Sequence, residues 1–465
     1  MKIMKTTEVN TPIYDFVRKY ANSSAKRMHM PGHKGEHFLG CEKLDITEIN
    51  GADVLYSAEG IIAESENIAS ELFGTAHTFY STEGSSLSIK AMLALAAYDG
   101  DFKRNKRLKP YVIAARNVHK SFIYACALLD IDVEFIAPSA KSNHICTCNV
   151  TPLDVELALV NRKTPPRAVY VTSPDYLGNI LDIKGIANIC HRFNVPLLVD
   201  NAHGAYLAFT EDNMHPIALG ADMCCDSAHK TLPALTGAGY LHISKNACPA
   251  FLRNARSRLA LFASTSPSYL ILQSLDLCNK YLAEDAKMAI ARTERWLTEL
   301  KFTLSGKGFK FIGNEPLKLT LDFSDNAISA QTVAEYLRLH FHIECEYCDK
   351  DYLVLMLSPQ NTKKDIDTLE AALLSVPFEN KTQQKRQTFK YTYSTERIRN
   401  IREAVFAPHE TLHVSETLGR ICASPTVSCP PAVPIAITGE VITENTLRML
   451  EYYEIREIDV VIEQI

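Results

Sequence analysis

Two short runs hold residue types suited to covalent chemistry on an aldehyde. In Asp226-Ser227-Ala228-His229-Lys230-Thr231 a lysine follows an apolar strand pattern. Burial at such a strand-to-loop transition disfavours the charged amine and makes it a usable nucleophile, able to form an imine. A lysine reaching solvent from a strand end fits the same pattern. In Asp200-Asn201-Ala202-His203-Gly204 an aspartate ends a second apolar run. Its carboxylate emerges at the sheet edge where open α/β folds bind ligands. There it can keep a pyridine nitrogen protonated and make the ring an electron sink. A turn or helix cap is the bland alternative.

Other residues extend this pair into a site. Gly84-Ser85-Ser86 precedes a helical run over 87–97. The glycine permits close backbone approach, the helix start attracts a phosphate, and two hydroxyls add donors. The same triplet also serves as an ordinary cap. His119 opens a helix after Arg116-Asn117, so its ring could cover a flat cofactor or simply cap the helix. Ser227 and His229 flank the lysine and could donate to the phosphate, while His203 could orient Asp200 or touch the cofactor. Lysine, carboxylate and phosphate donors together are what pyridoxal 5'-phosphate requires. No metal is expected, because Cys146-Thr147-Cys148 has no second ligand pair at zinc spacing.

The elements that must position these groups alternate as in α/β proteins. Near-continuous apolar runs at 111–115, 133–137, 168–172, 196–200, 223–226 and 239–243 read as strands, and the sheet is expected to have about seven. Helical periodicity marks 13–20, 61–73, 119–129 and 183–193. The expected architecture is α/β, a mostly parallel seven-stranded sheet flanked by helices, with a smaller C-terminal α+β domain. The division runs 1–50 as an N-terminal arm, 51–285 as a large domain and 286–378 as the small domain. A polar linker at 379–392 and a C-terminal segment at 393–465 follow. In the latter, a helix is expected at 395–405.

Composition narrows the classes. The 465 residues suggest two or three domains, and 46% hydrophobic with 22% charged residues is ordinary for a soluble protein. A net charge of -5 without a dense basic run argues against a nucleic-acid partner. No apolar run is long enough for a membrane helix, and the basic start lacks the apolar stretch of a signal peptide. Thirteen scattered cysteines suit a reduced, cytoplasmic protein with buried thiols.

Seven segments taken in order resemble the Orn/Lys/Arg decarboxylases, a pyridoxal-phosphate family of the aspartate-aminotransferase fold (fold type I). They are HMPGHKG at 29–35, STEGSS at 81–86, NVHKS at 117–121, TSPDYLG at 172–178, DNAHG at 200–204, SAHK at 227–230 and STSPSY at 264–269. The resemblance implies Lys230 as the internal-aldimine lysine, Asp200 as the pyridine-nitrogen partner and His119 as the ring-stacking histidine. It implies Gly84, Ser85, Ser227 and His229 as phosphate contacts, beside Ser86, and His203 as an active-site residue. It further implies that Ser266, in Ser266-Pro267-Ser268, completes a neighbouring subunit's site, hence a homodimer or larger assembly with sites at the interface.

The implied reaction is decarboxylation of arginine, lysine or ornithine, of the kind that feeds polyamine biosynthesis. A cationic side chain needs an acidic partner, for which Glu440 and Asp175 are the candidates, with ordinary surface carboxylates the alternative reading. Transamination or elimination on the same cofactor is the nearest rival, and Arg420 could then clamp a carboxylate. A noncatalytic paralogue is the rival from another class. The chain departs from the family at Asn201, where a glutamate is common, and at Asp175, where a threonine is common. Pro430-Pro431-Ala432-Val433-Pro434 and Thr438-Gly439-Glu440 are also variants of the family's motifs. The large inducible members' N-terminal wing has no counterpart, so a short form without a wing-built decamer is expected.

Overall fold

Short apolar runs alternating with helices do build a mostly parallel seven-stranded sheet. The computed structural model describes residues 9–100, 109–136, 144–160, 162–376, 397–425 and 431–462. The strands are β1 (His77–Ser81), β2 (Tyr111–Ala114), β3 (Asp132–Phe135), β4 (Val169–Thr172), β5 (Leu197–Asp200), β6 (Met223–Asp226) and β7 (Gly239–Ile243). Six lie where apolar runs place them; β1 is the strand those runs do not reveal. Pairing is parallel between β2 and β3, β2 and β4, and β5 and β6. It is antiparallel where β7 meets β1 and β6.

The chain forms two units, each interrupted in sequence. The first, Met1–Lys103 with Pro196–Ala291, holds β1, β7, β6 and β5. Its helix Gly84–Tyr98 is apolar on nearly all sides, and it packs on β6 and β7 and against the helix Pro249–Phe262. Its arm is tied down. The helix Pro12–Ala21 begins against Asp276, whose Oδ2 accepts the amides of Ile13 and Tyr14 at 2.9 Å each. That carboxylate satisfies donors that a helix start leaves open. Downstream of it, Met28, Met30, Phe38 and Leu39 are exposed.

The second unit, Arg104–Val195 with Arg292–Ile465, holds β4, β2 and β3 and the smaller α+β part. There an antiparallel sheet orders Tyr347–Cys348, Tyr352–Met356, Lys318–Asp322 and Lys310–Ile312, with the helices Ala330–Phe341 and Lys363–Leu374. Leu319, Leu321, Leu353 and Leu355 from the strands meet Val333, Leu337, Leu369 and Leu373 from the helices. The last segment pairs His409–His413 with Glu457–Val461. The helix expected at 395–405 is described as Ile401–Val405, and the polar stretch 379–392 lies outside the described residues. No helix among the described residues is long and apolar enough to cross a membrane.

Candidate active site

Lys230 lies in one helical turn, Ala228–Thr231, rather than in the loop its sequence context suggests. The turn follows β6 directly, so Ser227 closes the strand and opens the helix. The lysine's Nζ donates to His203 Nε2 at 3.0 Å. His203 is buried and reaches Lys230 from the loop after β5. That contact joins both sequence runs through their most reactive groups.

Asp200 ends β5 and is 2% exposed. Its Oδ1 accepts the Ala202 amide at 3.2 Å and the Cys225 thiol at 3.6 Å. Register explains the thiol, since Asp200 stands opposite Cys225 in the parallel pair β5–β6. Burial, and then the Asp200 charge, push the Cys225 thiol well above its usual range, so it remains a donor. Sequence reading missed this cysteine, because its place depends on the strand pairing that sets it opposite Asp200.

The phosphate-type residues gather in the same unit. Gly84 has φ +64°, a left-handed value suited to glycine, and opens the helix Gly84–Tyr98. Close approach demands a second glycine. A Cβ on Gly239 would lie 2.9 Å from both the Asp226 carbonyl oxygen and the Gly84 carbonyl carbon. Ser227 Oγ donates to Ser85 Oγ at 2.9 Å, which ties the lysine's turn to the helix start, and Ser86 follows part-buried. His229 Nδ1 donates to the Ala238 carbonyl at 2.8 Å. Burial, then the Lys230 charge, lower its pKa, against the effect of that hydrogen bond. Ser266 sits exposed in a turn held by the Ser264 amide donating to Glu83 Oε1 at 2.8 Å.

The remaining candidates stand in the second unit. His119 is the N-cap of the helix Lys120–Leu129, its Nδ1 accepting the Ser121 amide at 3.2 Å. Asp175 and Glu440, the candidates for a substrate cation, both hold partners within this unit. Asp175, 3% exposed, accepts from the amides of Leu177 and Asn179 at 2.9 Å each and from Asn179 Nδ2 at 2.7 Å. It shapes its own turn. Glu440 Oε2 takes Arg116 Nη2 at 3.1 Å and the Ile437 amide at 2.8 Å, with both charged side chains buried. Arg116 also donates to the Pro434 and Ile435 carbonyls at 3.0 and 3.2 Å, a role its sequence position did not announce.

Among the described residues, the set of potential metal ligands within 4.8 Å of one another is His215, Cys224 and Asp226. His215 Nδ1 accepts the Ile217 amide at 3.4 Å, so Nε2 carries the proton donated to Asp226 at 3.0 Å.

Known proteins resemble this chain in sequence and fold. Residues 11–302 match the family profile "Orn/Lys/Arg decarboxylase, major domain", and 375–459 match "Orn/Lys/Arg decarboxylase, C-terminal domain". An arginine decarboxylase of Bacillus subtilis is 28% identical over 94% of this chain and 92% of its own length. A lysine decarboxylase of Francisella novicida superposes with TM-score 0.79 at 18% identity, over 98% of this chain and 82% of that one. A more distant chain described as SPT with PLP superposes with TM-score 0.53 at 13% identity, over 69% of this chain and 79% of that one. The structural likenesses establish the fold.

Proposed function

The chain belongs to the Orn/Lys/Arg decarboxylase family, and on that premise we propose that it decarboxylates a basic amino acid using pyridoxal 5'-phosphate held on Lys230. The observation that carries the proposal is the single cluster of Lys230, His203, Asp200, Ser85 and Ser227 in one unit. Its donor set fits the cofactor. The Lys230 amine suits the aldehyde, and the Asp200 carboxylate suits the ring nitrogen. The helix start at Gly84, with Ser85, Ser86, Ser227 and His229, suits the phosphate. His119 is proposed for the ring face, and Ser266 for the site of a partner copy in a homodimer.

When bound, the cofactor supplies an electron sink for the pair released as CO2 leaves. The protein's work is electrostatic and positional. Asp200 places its carboxylate at a strand end, oriented by the Ala202 amide and the Cys225 thiol. His203 fixes the Lys230 amine through Nε2 and can take a proton from Nζ or return one. The substrate's cation is assigned to neither Asp175 nor Glu440, since both carboxylates are already bonded and buried.

Carboxyl-labelled arginine, lysine and ornithine test the proposal directly. Cofactor-loaded protein is expected to release labelled CO2 with an equal amount of amine from at least one of them. Keto acid appearing instead would establish transamination, and no CO2 from any of the three would end the decarboxylase reading.

His229 adds a proton-linked prediction. With Nδ1–H given to Ala238, the neutral ring presents a bare Nε2, and its lowered pKa keeps it neutral near pH 7. Donation to a phosphate then requires a proton, so cofactor binding should raise the His229 pKa and take up about one proton there. Calorimetry in buffers of different ionisation enthalpy measures the uptake. His229→Asn, which can keep the bond to Ala238, should bind with about one proton fewer. Equal uptake by the two proteins would remove His229 from the phosphate site.

A further inference from the structure

Behind the lysine's turn lies a carboxylate that the proposed chemistry does not use. Asp226 ends β6 at 0% exposure and accepts four donors. Its Oδ2 takes His215 Nε2 at 3.0 Å and His242 Nε2 at 3.1 Å, and its Oδ1 takes Asn201 Nδ2 at 2.7 Å and Cys224 Sγ at 3.5 Å. The donors come from the ends of β5 and β6, from β7, and from the loop carrying His215. Phe73 closes the site, its ring 4.6 Å from that of His242 and 5.5 Å from that of His215. Burial opposes the charge, but the two histidines hold the carboxyl well below its usual range.

Its neighbours in sequence matter most. Asn201 follows Asp200, and Asp226 precedes Ser227, so the Asn201–Asp226 bond links the two strand ends that carry Asp200 and Lys230. The amide's orientation is set by chemistry, because only Nδ2 can face a carboxylate. Its Oδ1 has no hydrogen-bond partner among the described residues and fills the space a Cβ on residue 204 would need, 2.0 Å away. A carboxylate at 201, of the kind common in the resembling family, would face Asp226 with like charge in a dry site.

We propose that Asp226 is a positioning residue and Asn201 its matched partner, the pair locking the ends of β5 and β6 so that Asp200 and Lys230 keep their relative placement. Asp226 acts through the lysine's turn and touches neither substrate nor cofactor. The positioning role rests on the proposed cofactor site, whereas the pair's complementarity does not.

An isosteric cycle of four proteins tests it: wild type, Asn201→Asp, Asp226→Asn and the double exchange Asn201→Asp/Asp226→Asn. No variant changes side-chain volume appreciably, so packing is held constant. Asn201→Asp sets two carboxylates together. It should lose about 10- to 100-fold in kcat, with KM for the amino acid little changed, and hold less cofactor that borohydride fixes to Lys230.

The pair, facing His215, His242 and Cys224, should share a proton at low pH, so the defect should shrink as pH falls and grow as it rises. The double exchange restores a donor facing an acceptor, with the new amide's oxygen towards the histidines. It should return to within about threefold of wild type, the coupling such a cycle measures. Asn201→Asp matching wild type in alkaline buffer, or a double exchange no better than Asn201→Asp, would overturn the proposal.

Should Asn201→Asp fail to fold, a folded double exchange supports the pair and an unfolded one refutes it. Asp226→Asn, which sets two amides together, should itself lose about fivefold in kcat, and wild-type behaviour would count against the proposal. If wild-type protein holds no cofactor on Lys230, the cofactor site and the positioning role fall together. Cofactor-free melting temperatures, ordered wild type and double exchange above Asn201→Asp, then still decide the pair.

Discussion

Lys230→Ala is expected to abolish the visible absorbance of bound cofactor and to lower decarboxylation by about 10⁴-fold or more, the scale of losing a nucleophile that acts covalently. The fold should survive. Lys230 is part-exposed in a four-residue turn, and the buried anchors of that turn, Ser227 and Thr231, are untouched. Loss of the amine also removes the donor from His203 Nε2. Melting temperature, absorbance and CO2 release from one preparation separate these effects. A variant that keeps both colour and turnover within tenfold of wild type would show that the site is elsewhere.

The second large effect concerns stability. Arg116→Met should destabilise the protein by about 3–5 kcal/mol, because it strands a buried carboxylate. In the native chain the guanidinium meets Glu440 and two carbonyls beside it, more than 300 residues away in sequence. Burial already raises the Glu440 pKa against the pull of Arg116, so losing the arginine should raise it further, with Arg397 and the Ile437 amide still opposing. Glu440→Gln should be milder, at about 1–2 kcal/mol, since an amide oxygen can still accept from Arg116 and Ile437. Denaturant midpoints measure both, provided the slope is unchanged. A midpoint for Arg116→Met equal to wild type would mean that the pair contributes nothing net.

Much of the sheet was legible because its inner strands are apolar on both faces. Val169-Tyr170-Val171 and Leu197-Leu198-Val199 admit few other readings. β1 was not, because His77-Thr78-Phe79-Tyr80-Ser81 mixes polar and aromatic residues that are satisfied inside. Thr78 bonds His242 at 2.9 Å, and the Tyr80 amide bonds Glu66 at 2.9 Å. Those partners come from distant segments that no local pattern reveals.

The site divides in the same way. Lys230 and Asp200 were singled out because each ends or closely follows an apolar run. Cys225 and Arg116 were not, since each depends on what faces it across the fold. Asp175 and Glu440 pose a related difficulty. Sequence shows a carboxylate but not the amides that occupy it, and both proved to be bonded within their own unit.

The interrupted first unit has a consequence for biosynthesis. β1 takes its hydrogen bonds from β7, and Ser85 takes its bond from Ser227, yet the whole Arg104–Val195 stretch is translated between them. At about 5–20 residues per second, β1 waits on the order of ten seconds for its strand partner. Throughout that interval an aromatic strand and the helix Gly84–Tyr98, apolar on nearly every side, have no permanent cover. The two halves of the candidate site therefore stay apart until about half of the message has been read.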